Sequence, residues 1–310
     1  MKSLRETAQE YIDLRRALGY KLVDAESLLK DFTSFMEREN APYITAKLAL
    51  LWAMERKNVL PSQWGARLSV IRRFAQHMKA IDSENEIPPY GLLPHKDHRR
   101  NPHIYNEKEV LRLLQACKSF TSGNGLRRHT FYTVFGLLAV TGMRISEVTA
   151  LTREDVDLTQ GIITIRLTKF RKSRLIPLHK STLQVLREYA LRRDQIYPAV
   201  KISNFFLSDQ GTCLTGYAVR CAFIRLSHRI GFRKPTDSLG PRIHDFRHSF
   251  AVKTIIKWYR EGVNVENYIP LLSTYLGHTK PSDTYWYLSS VPELIGLAAA
   301  RLEKHLGGLR

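Results

Sequence analysis

The chain has 310 residues, 44% of them apolar, and carries 48 Lys and Arg against 29 Asp and Glu, a net charge of +19. This length can bury two cores of ordinary size, and the ordinary glycine and proline content is typical of a globular protein. The sequence has no run of about 18 apolar residues and no basic segment leading into an apolar one, so it predicts no membrane partner and a cytoplasmic location.

The positive charge is concentrated in the C-terminal two thirds of the chain. Residues 1–98 hold 15 Lys and Arg and 13 Asp and Glu, whereas residues 99–310 hold 33 and 16. Such a surplus fits phosphate backbones better than an anionic lipid surface. The three cysteines are widely spaced and form no C-x-x-C pair, so they are predicted to be small buried residues in a reducing compartment: Cys117, Cys213 and Cys221.

The first 98 residues predict a helical bundle. Apolar residues recur at helical spacing over 28–36 and over 64–78, and prolines mark the ends of these stretches. The second stretch also carries basic residues off its apolar face, which indicate either a solvated face or a DNA-facing surface: Arg67, Arg72, Arg73, His77 and Lys79.

Residues 88–102 predict a linker, and helices resume at a capping box that begins at Asn106. An apolar helix over 131–140 ends at T-G-M-R, and helices follow over 181–193, over 215–230 and from Pro292, the last docking on its own domain or on a neighbouring protomer. Segments 162–167 and 174–178 predict a hairpin with a mobile tip, and Pro177 confines its second strand to an edge or terminal position. The predicted fold is mainly α with a small antiparallel β-sheet, in two domains, 1–98 and 99–310.

Several polar residues of the C-terminal part suit phosphate chemistry. Guanidinium groups grip phosphate oxygens in pairs, so Arg144 and Arg247 suit the charge that builds on a phosphorus under attack. A free tyrosine, with a pKa of about 10, is a weak nucleophile, but cationic neighbours favour its phenolate and an imidazole can take its proton. Attack by Tyr287 on a DNA phosphodiester would leave a phosphotyrosine. His278, after a Leu-Gly break, is placed to hydrogen-bond a phosphate oxygen.

The departing deoxyribose oxygen needs a proton, which Lys169 or Lys172 on the hairpin tip could deliver. The covalent link keeps the energy of the phosphoryl bond, so no ATP is required. Fixed positive side chains supply the charge that Mg²⁺ would bring. We therefore expect no cofactor and no metal.

Each of these residues also has a purely structural interpretation. Arg144 could form an ordinary helix salt bridge with Glu147, and Tyr287 could be a packed aromatic in its Tyr-Trp-Tyr run. The segment H-D-F-R-H, with His244 and His248 four residues apart, is superficially similar to the zinc motif H-E-x-x-H. An aspartate replaces the glutamate there, however, and no third ligand follows. Only the ordered set of motifs favours catalysis.

In order and spacing, these motifs resemble those of the tyrosine recombinases, also called the phage-integrase family. T-G-M-R-I-S-E-V is similar to the family's first arginine box, H-D-F-R-H-S-F to its H-x-x-R box, L-G-H to its third box, and T-K-F-R-K-S-R-L-I-P-L to its lysine hairpin. The resemblance spans residues 144–287. From the residues and this resemblance together, we assign six roles: Arg144 and Arg247 as transition-state clamps, Lys169 as general acid, His244 as proton acceptor from the tyrosine, His278 as phosphate ligand, and Tyr287 as nucleophile.

The resemblance implies a site-specific DNA recombinase. Residues 1–98 would be a helical core-binding domain and residues 99–310 the catalytic domain, together a C-shaped clamp around double-stranded DNA with specific recombination sites. It also implies a 3′-phosphotyrosyl intermediate, strand exchange through a Holliday junction in a homo-tetrameric synapse, and association with the nucleoid. The ending T-Y-W-Y-L-S-S-V-P-E-L resembles recombinases of transposon-like elements, so other recombinases of the same element are further candidate partners.

Three features depart from the family's pattern. The segment between the H-x-x-R box and L-G-H is longer than expected, and its stretch G-V-N-V-E-N-Y-I-P is predicted to be an added loop. Phe170 stands where a glycine is common after the lysine, which keeps Lys172 as an alternative to Lys169. Tyr285 is an alternative nucleophile, although the spacing of nine residues after the L-G-H histidine favours Tyr287.

Two other functions stay open on the sequence. A type IB topoisomerase would relax any supercoiled DNA as a single protomer, without a specific site. A DNA-binding regulator or accessory subunit on the same scaffold would form no covalent adduct with DNA.

Overall fold

The computed structural model describes residues 3–20, 22–94, 101–166, 173–199, 201–234, 236–237, 239–278, 280–289 and 292–307. The chain divides into two compact units, Met1–Arg100 and Asn101–Arg310. Helices dominate both units, and the strands of the described ranges form one three-stranded antiparallel sheet. The predicted fold class, mainly α with a small antiparallel sheet, is confirmed.

The N-terminal unit is a bundle of helices α1 Leu4–Ala17, α2 Val23–Arg38, α3 Ala46–Met54 and α4 Pro61–Ile81. Its core is built around the fully buried side chains of Phe32, Trp52 and Phe74. Thr45 caps α3 by accepting a hydrogen bond from the backbone N–H of Leu48. Helix α4 begins with Pro61, because the first helical position needs no N–H donor.

The basic face predicted on α4 is wrong for two of its residues. Arg67 and Arg72 are only 5% and 4% exposed, so neither lies on a solvated or DNA-facing surface. Arg67 stacks on the Trp52 ring at 3.9 Å and donates to the Trp52 carbonyl, while Arg72 donates to the carbonyls of Pro88 and Pro89, 2.7 Å away in each case. A long aliphatic stem and a forked head allow an arginine to be buried wherever acceptors are available.

The C-terminal unit contains the sheet and the remaining helices. In chain order these are α5 Glu107–Ala116, a 3₁₀ turn Cys117–Ser119, α6 Leu126–Thr141, α7 Ile145–Ala150, β1 Val156–Asp157, β2 Ile162–Ile165, β3 Arg174–Pro177, α8 Lys180–Ile196, α9 Gly216–Arg229, α10 Asp245–Arg260, α11 Val265–Leu276, α12 Ser282–Tyr285, a 3₁₀ turn Trp286–Ser289, and α13 Pro292–Gly307. Helix α6 runs through the larger of two apolar cores in this unit, and α10 and α11 build the smaller one.

The predicted hairpin is confirmed in its two strands. Strands β2 and β3 pair antiparallel from Ile162 opposite Pro177 to Ile165 opposite Arg174, and Pro177 ends the edge strand β3. Strand β1 was not predicted, because a strand of two residues is too short to show an alternating pattern. Lys169 and Lys172, the two candidates for the general acid, lie outside the described residues.

The added loop predicted between the two boxes is wrong. Only residues 261–264 connect α10 to α11, and the predicted loop is helical from Val265 onward although Pro270 lies within α11. Val265, Ile269, Leu272 and Leu276 are buried in the smaller core at spacings of four, three and four residues. Burial of this apolar face outweighs the backbone hydrogen bond that a proline cannot donate.

Two further predictions, on the cysteines and on the last helix, can be compared with the structure. Cys117 is buried as predicted, but Cys213 and Cys221 are exposed, so the prediction is wrong for two of the three cysteines. Helix α13 packs on α10 of its own unit through the buried Leu294, and Glu293 forms an ion pair with Arg260.

No helix among the described residues is long and apolar enough to cross a membrane. Nor do these residues include a group of three His, Cys, Asp or Glu that could hold a metal ion.

Candidate active site

Arg144 stands at the start of α7, and the local backbone fixes its direction. Its backbone N–H donates to Oε2 of Glu147 at 2.8 Å, and its Nη1 donates to Oε1 of the same carboxylate at 2.9 Å. Its Nη2 donates to the carbonyl oxygen of Gly277 at 3.2 Å. The side chain is 32% exposed, and its Nε makes no hydrogen bond to a described residue. Among the described residues, the Nε edge of this guanidinium therefore has no partner and is available to an incoming anion.

Arg247, in the first turn of α10, is buried and bound only by carbonyl oxygens within the described residues. Its Nη1 donates to the Gly142 carbonyl at 3.0 Å, and its Nη2 donates to the Leu276 carbonyl. Burial first, and then the neighbouring charge of Arg144, lowers the pKa of Arg247 to about 10. The group therefore keeps its charge at neutral pH.

The two guanidinium groups meet at the C-terminal end of α11. The Leu276 carbonyl accepts from Nη2 of Arg247 and from Nη1 of Arg144, the latter at 3.4 Å. The last carbonyls of a helix lack partners within it and carry the negative end of its dipole, which favours cations. The helix ends at Gly277 in the left-handed conformation, with φ of +68°. Two arginines 103 positions apart in sequence thus share one cleft.

His278 follows that glycine and is held by a side chain of α12. Its Nδ1 lies 2.7 Å from the hydroxyl of Thr284. Burial, followed by the charges of Arg247 and Arg144, lowers the pKa of His278 to about 4. The ring is therefore neutral at pH 7. When the Thr284 hydroxyl donates to Nδ1, the imidazole proton lies on Nε2 and is available to a phosphate oxygen.

A pair of histidines at the start of α10 completes this side of the cleft. Burial and the charge of Arg247 lower the pKa of His244, which favours the neutral form that can accept a proton. The His244 ring lies edge-on to His248, with centroids 4.8 Å apart, and His248 in turn lies 5.4 Å from the ring of Tyr287. From the sequence, His248 was named only as a candidate metal ligand. Its spacing of four residues from His244 already placed both histidines on one face of the helix.

Tyr287 lies in the 3₁₀ turn after α12 and is only 2% exposed. Its ring centroid is 6.1 Å from that of His278, and the charge of Arg247 interacts with its phenol. Tyr287 belongs to the smaller apolar core, together with buried side chains of α10 and α11. Tyr285, the alternative nucleophile, is 45% exposed at the end of α12. The two tyrosines therefore have different environments, and the structure brings Tyr287, not Tyr285, into ring contact with the histidines of the cleft.

Five of the six residues selected from the sequence therefore surround one cleft, while the sixth, Lys169, lies outside the described residues. The sequence missed Arg174. This side chain donates from both terminal nitrogens to the Glu147 carboxylate, at 3.1 and 2.7 Å. Burial alone would raise the pKa of Glu147, but the hydrogen bonds from Arg174 and from the Arg144 backbone outweigh it and lower that pKa. The sequence signal that could have identified Arg174 was its position next to the hairpin tip that carries the candidate general acids.

The sequence of this chain matches a known protein family and several of its members. A model described as the phage integrase family matches residues 104–293. The protein y4rB of Sinorhizobium fredii, an integrase/recombinase by name, is 44% identical over 308 residues, which cover 98% of both chains. Tyrosine recombinase XerD of Staphylococcus saprophyticus is 26% identical and covers 93% of this chain and 94% of its own.

Solved structures agree on the fold. The Tn1549 transposon integrase, in complex with transposon right end DNA, superposes with a TM-score of 0.69 at 16% identity, over 98% of this chain and 99% of that chain. A lambda integrase dimer bound to a COC′ core site gives a TM-score of 0.60 at 18% identity, over 92% and 77%. Fold, motifs and relatives define a tyrosine recombinase. The chain belongs to the phage integrase family, which confirms the resemblance drawn from its motifs.

Proposed function

We propose that this chain is a site-specific recombinase that cuts and rejoins double-stranded DNA through a 3′-phosphotyrosyl intermediate, for the integration, excision or transposition of a mobile element. The observation that carries the proposal is the convergence of Arg144 and Arg247 on the Leu276 carbonyl, with His278 and Tyr287 beside them. Membership of the phage integrase family supports it.

In the proposed reaction the Tyr287 oxygen attacks the phosphorus, a tyrosyl–phosphorus bond forms, and the bond to the 5′ oxygen of the next nucleotide breaks. Arg144 and Arg247 neutralise the charge that develops on the non-bridging oxygens. His278 donates a hydrogen bond to one of these oxygens. His244 accepts the phenolic proton, and the ring of His248 contacts the rings of both His244 and Tyr287.

The proton for the departing 5′ oxygen comes from Lys169, with Lys172 as the alternative. A DNA strand whose 5′-bridging oxygen is replaced by sulfur separates the two, because a thiolate leaves without a proton. We expect this substrate to restore cleavage to Lys169→Ala. If this substrate restores cleavage to Lys172→Ala and not to Lys169→Ala, Lys172 is the general acid.

The proposed attack requires a movement of the 3₁₀ turn that carries the nucleophile. Tyr287 is 2% exposed and Arg247 1% exposed, so a phosphate cannot approach both while the turn keeps its present position. Arg144, at 32% exposure, and the open edge of its guanidinium offer the first contact for a phosphate.

The proposed partner is double-stranded DNA with specific recombination sites, bound in a homo-tetrameric synapse at the nucleoid. Residues 1–98 would act as the core-binding domain and residues 99–310 as the catalytic domain. Other recombinases of the same element are further candidates for the synapse. The positive surplus of residues 99–310 supports this polyanionic partner.

The test is covalent capture on a nicked suicide duplex built from the DNA that flanks the gene. The parent protein should form an adduct that resists denaturation, also in EDTA, and Tyr287→Phe should bind the duplex without forming it. Tyr285→Phe is the matched control, two positions away, and should form the adduct. Loss of the adduct in Tyr285→Phe instead would move the nucleophile, and a parent protein that binds but forms no adduct would reduce the function to DNA binding.

A further inference from the structure

The pair Glu147–Arg174 joins three segments that are far apart in sequence. Arg174 opens strand β3, directly after the hairpin tip, and Glu147 lies in α7, three residues after Arg144. Both side chains are buried, at 8% and 7% exposure. The third segment is the turn at Gly277, where a Cβ atom would come within 2.7 Å of Nη1 of Arg174. The guanidinium of Arg174 therefore lies directly against the turn that precedes His278.

The Glu147 carboxylate is shared between two arginines. Its Oε1 accepts from Nη1 of Arg144 and from Nη1 of Arg174, while Oε2 accepts from the Arg144 backbone and from Nη2 of Arg174. Within the described residues Arg174 donates to no other acceptor, and its buried Nε has no partner. The described contacts of Arg174 thus indicate a single polar role, which is to orient the Glu147 carboxylate.

The geometry of this pair has a direct consequence for Arg144. A carboxylate held by the parallel donors of an arginine fork cannot rotate freely. With Glu147 fixed, Nη1 of Arg144 is fixed at Oε1, and Nη2 is directed to the Gly277 carbonyl. The Nε edge then faces away from both. A buried ion pair contributes little net stability, because desolvation offsets the attraction, so its main effect here is on orientation.

We propose that Arg174 is a positioning residue: it holds Glu147, and through it the guanidinium of Arg144, in the orientation that neutralises the scissile phosphate. This inference rests on the proposed recombinase function. Arg174 itself touches no substrate atom in this scheme. Without it, the carboxylate would be free to turn, and Arg144 would follow it away from the phosphate.

Two chemically altered DNA substrates distinguish this role from others. A methylphosphonate at the cleavage position is uncharged, so it needs less help from the Arg144 guanidinium. A 5′-bridging phosphorothiolate leaves without a proton and so needs no general acid. A residue that acts through Arg144 should be rescued by the first substrate, and one that acts through the hairpin lysine by the second.

We expect Arg174→Gln, at saturating duplex, to form the adduct on an ordinary phosphodiester roughly 10- to 100-fold more slowly than the parent, the loss typical when a group that orients a site residue is removed. On the methylphosphonate the difference from the parent should shrink, as it should for Arg144→Gln. On the phosphorothiolate it should persist. Arg174→Lys keeps the charge without the fork, and we expect an intermediate rate with the same substrate pattern.

Arg166→Gln is the matched control, because Arg166 follows strand β2 of the same sheet and pairs with Asp155 away from the cleft. It should cleave all three substrates like the parent. Rescue of Arg174→Gln on the methylphosphonate would itself demonstrate a folded protein. If Arg174→Gln does not fold, Arg174→Lys and Glu147→Gln carry the same test.

Three results would overturn the inference: an unchanged rate in Arg174→Gln, an equal deficit on all three substrates, or rescue by the phosphorothiolate, which would place the effect on the hairpin lysine. Failure of the proposed function gives a different result, because the parent protein itself would then form no adduct on the ordinary duplex.

Discussion

Both units of this chain bury arginines, but the arginines of the candidate active site have different surroundings from those buried in the N-terminal unit. In the N-terminal unit, Arg67 stacks on Trp52 and bonds to Asp31, and Arg72 bonds to two proline carbonyls. Each contributes its stem and its donors to the packing of one helical bundle. In the C-terminal unit, by contrast, Arg144 and Arg247 share a carbonyl, and Arg144 and Arg174 share a single carboxylate.

This difference in surroundings indicates which arrangement of arginines is typical of an anion-binding site. Three clustered guanidinium groups with one neighbouring carboxylate retain a positive surplus, and the low pKa of His278 keeps that ring from adding to it. Like charges repel, so such a cluster costs free energy in the absence of an anion. A bound phosphate would supply the missing negative charge. Burial of an arginine is therefore a poor indicator of function, whereas an unbalanced cluster is a good one.

The largest difference in effect is expected when one arginine is removed from each unit. Arg247→Gln should lower the rate of adduct formation by about 10²–10³-fold, the loss measured when one donor to a developing negative charge is removed. Arg72→Gln loses two bonds of 2.7 Å to carbonyls and should lower the melting temperature while cleaving bound DNA at the parent rate. Equal losses of cleavage rate in both variants would show that the two buried environments do not differ in function.

A smaller effect is expected at two glycines with nearly the same backbone conformation. Gly277 and Gly262 have φ of +68° and +72°, but only Gly277 has a neighbour, the Arg174 guanidinium, where a Cβ would stand. Gly262→Ala should therefore cost about 1 kcal/mol of stability from backbone strain and leave cleavage unchanged. Gly277→Ala should also displace Arg174 from Glu147 and slow adduct formation about tenfold. Similar cleavage rates in the two variants would contradict this account.

The last prediction concerns pH and stability, and it involves no change in cleavage rate. The folded state holds the pKa of His278 at about 4, below the value of about 6.5 for a free histidine, so the unfolded chain binds more protons between these values. Stability is therefore full above pH 6.5 and falls as the pH declines towards 4. For this partly exposed ring we expect a loss of about 1–2 kcal/mol, measured by denaturant unfolding of the DNA-free protein at pH 7 and pH 4.5. His278→Gln should lose less, and an equal loss would exclude His278 as the cause.

Much of the fold followed from sequence patterns that act locally. The capping box at Asn106 and the strands on either side of the hairpin tip lie where the sequence predicted them, because caps and alternation involve residues within one turn or one strand. Helix α11 was missed because its proline and glycine signals indicated a loop, and only burial against α10 outweighs them.

By itself, the sequence determined the family and the set of candidate residues, because R-x-x-E and H-x-x-R are spacings within a single helical turn, and their order along the chain is specific. Only the tertiary structure decided their surroundings: the shared Leu276 carbonyl, the His248 ring beside Tyr287, the Arg174 fork on Glu147, and the burial of Arg67 and Arg72. Most of these contacts join segments tens of residues apart or depend on which face of a helix is covered. The spacing of residues within one helical turn carries no information on long-range contacts or on which face of a helix is covered.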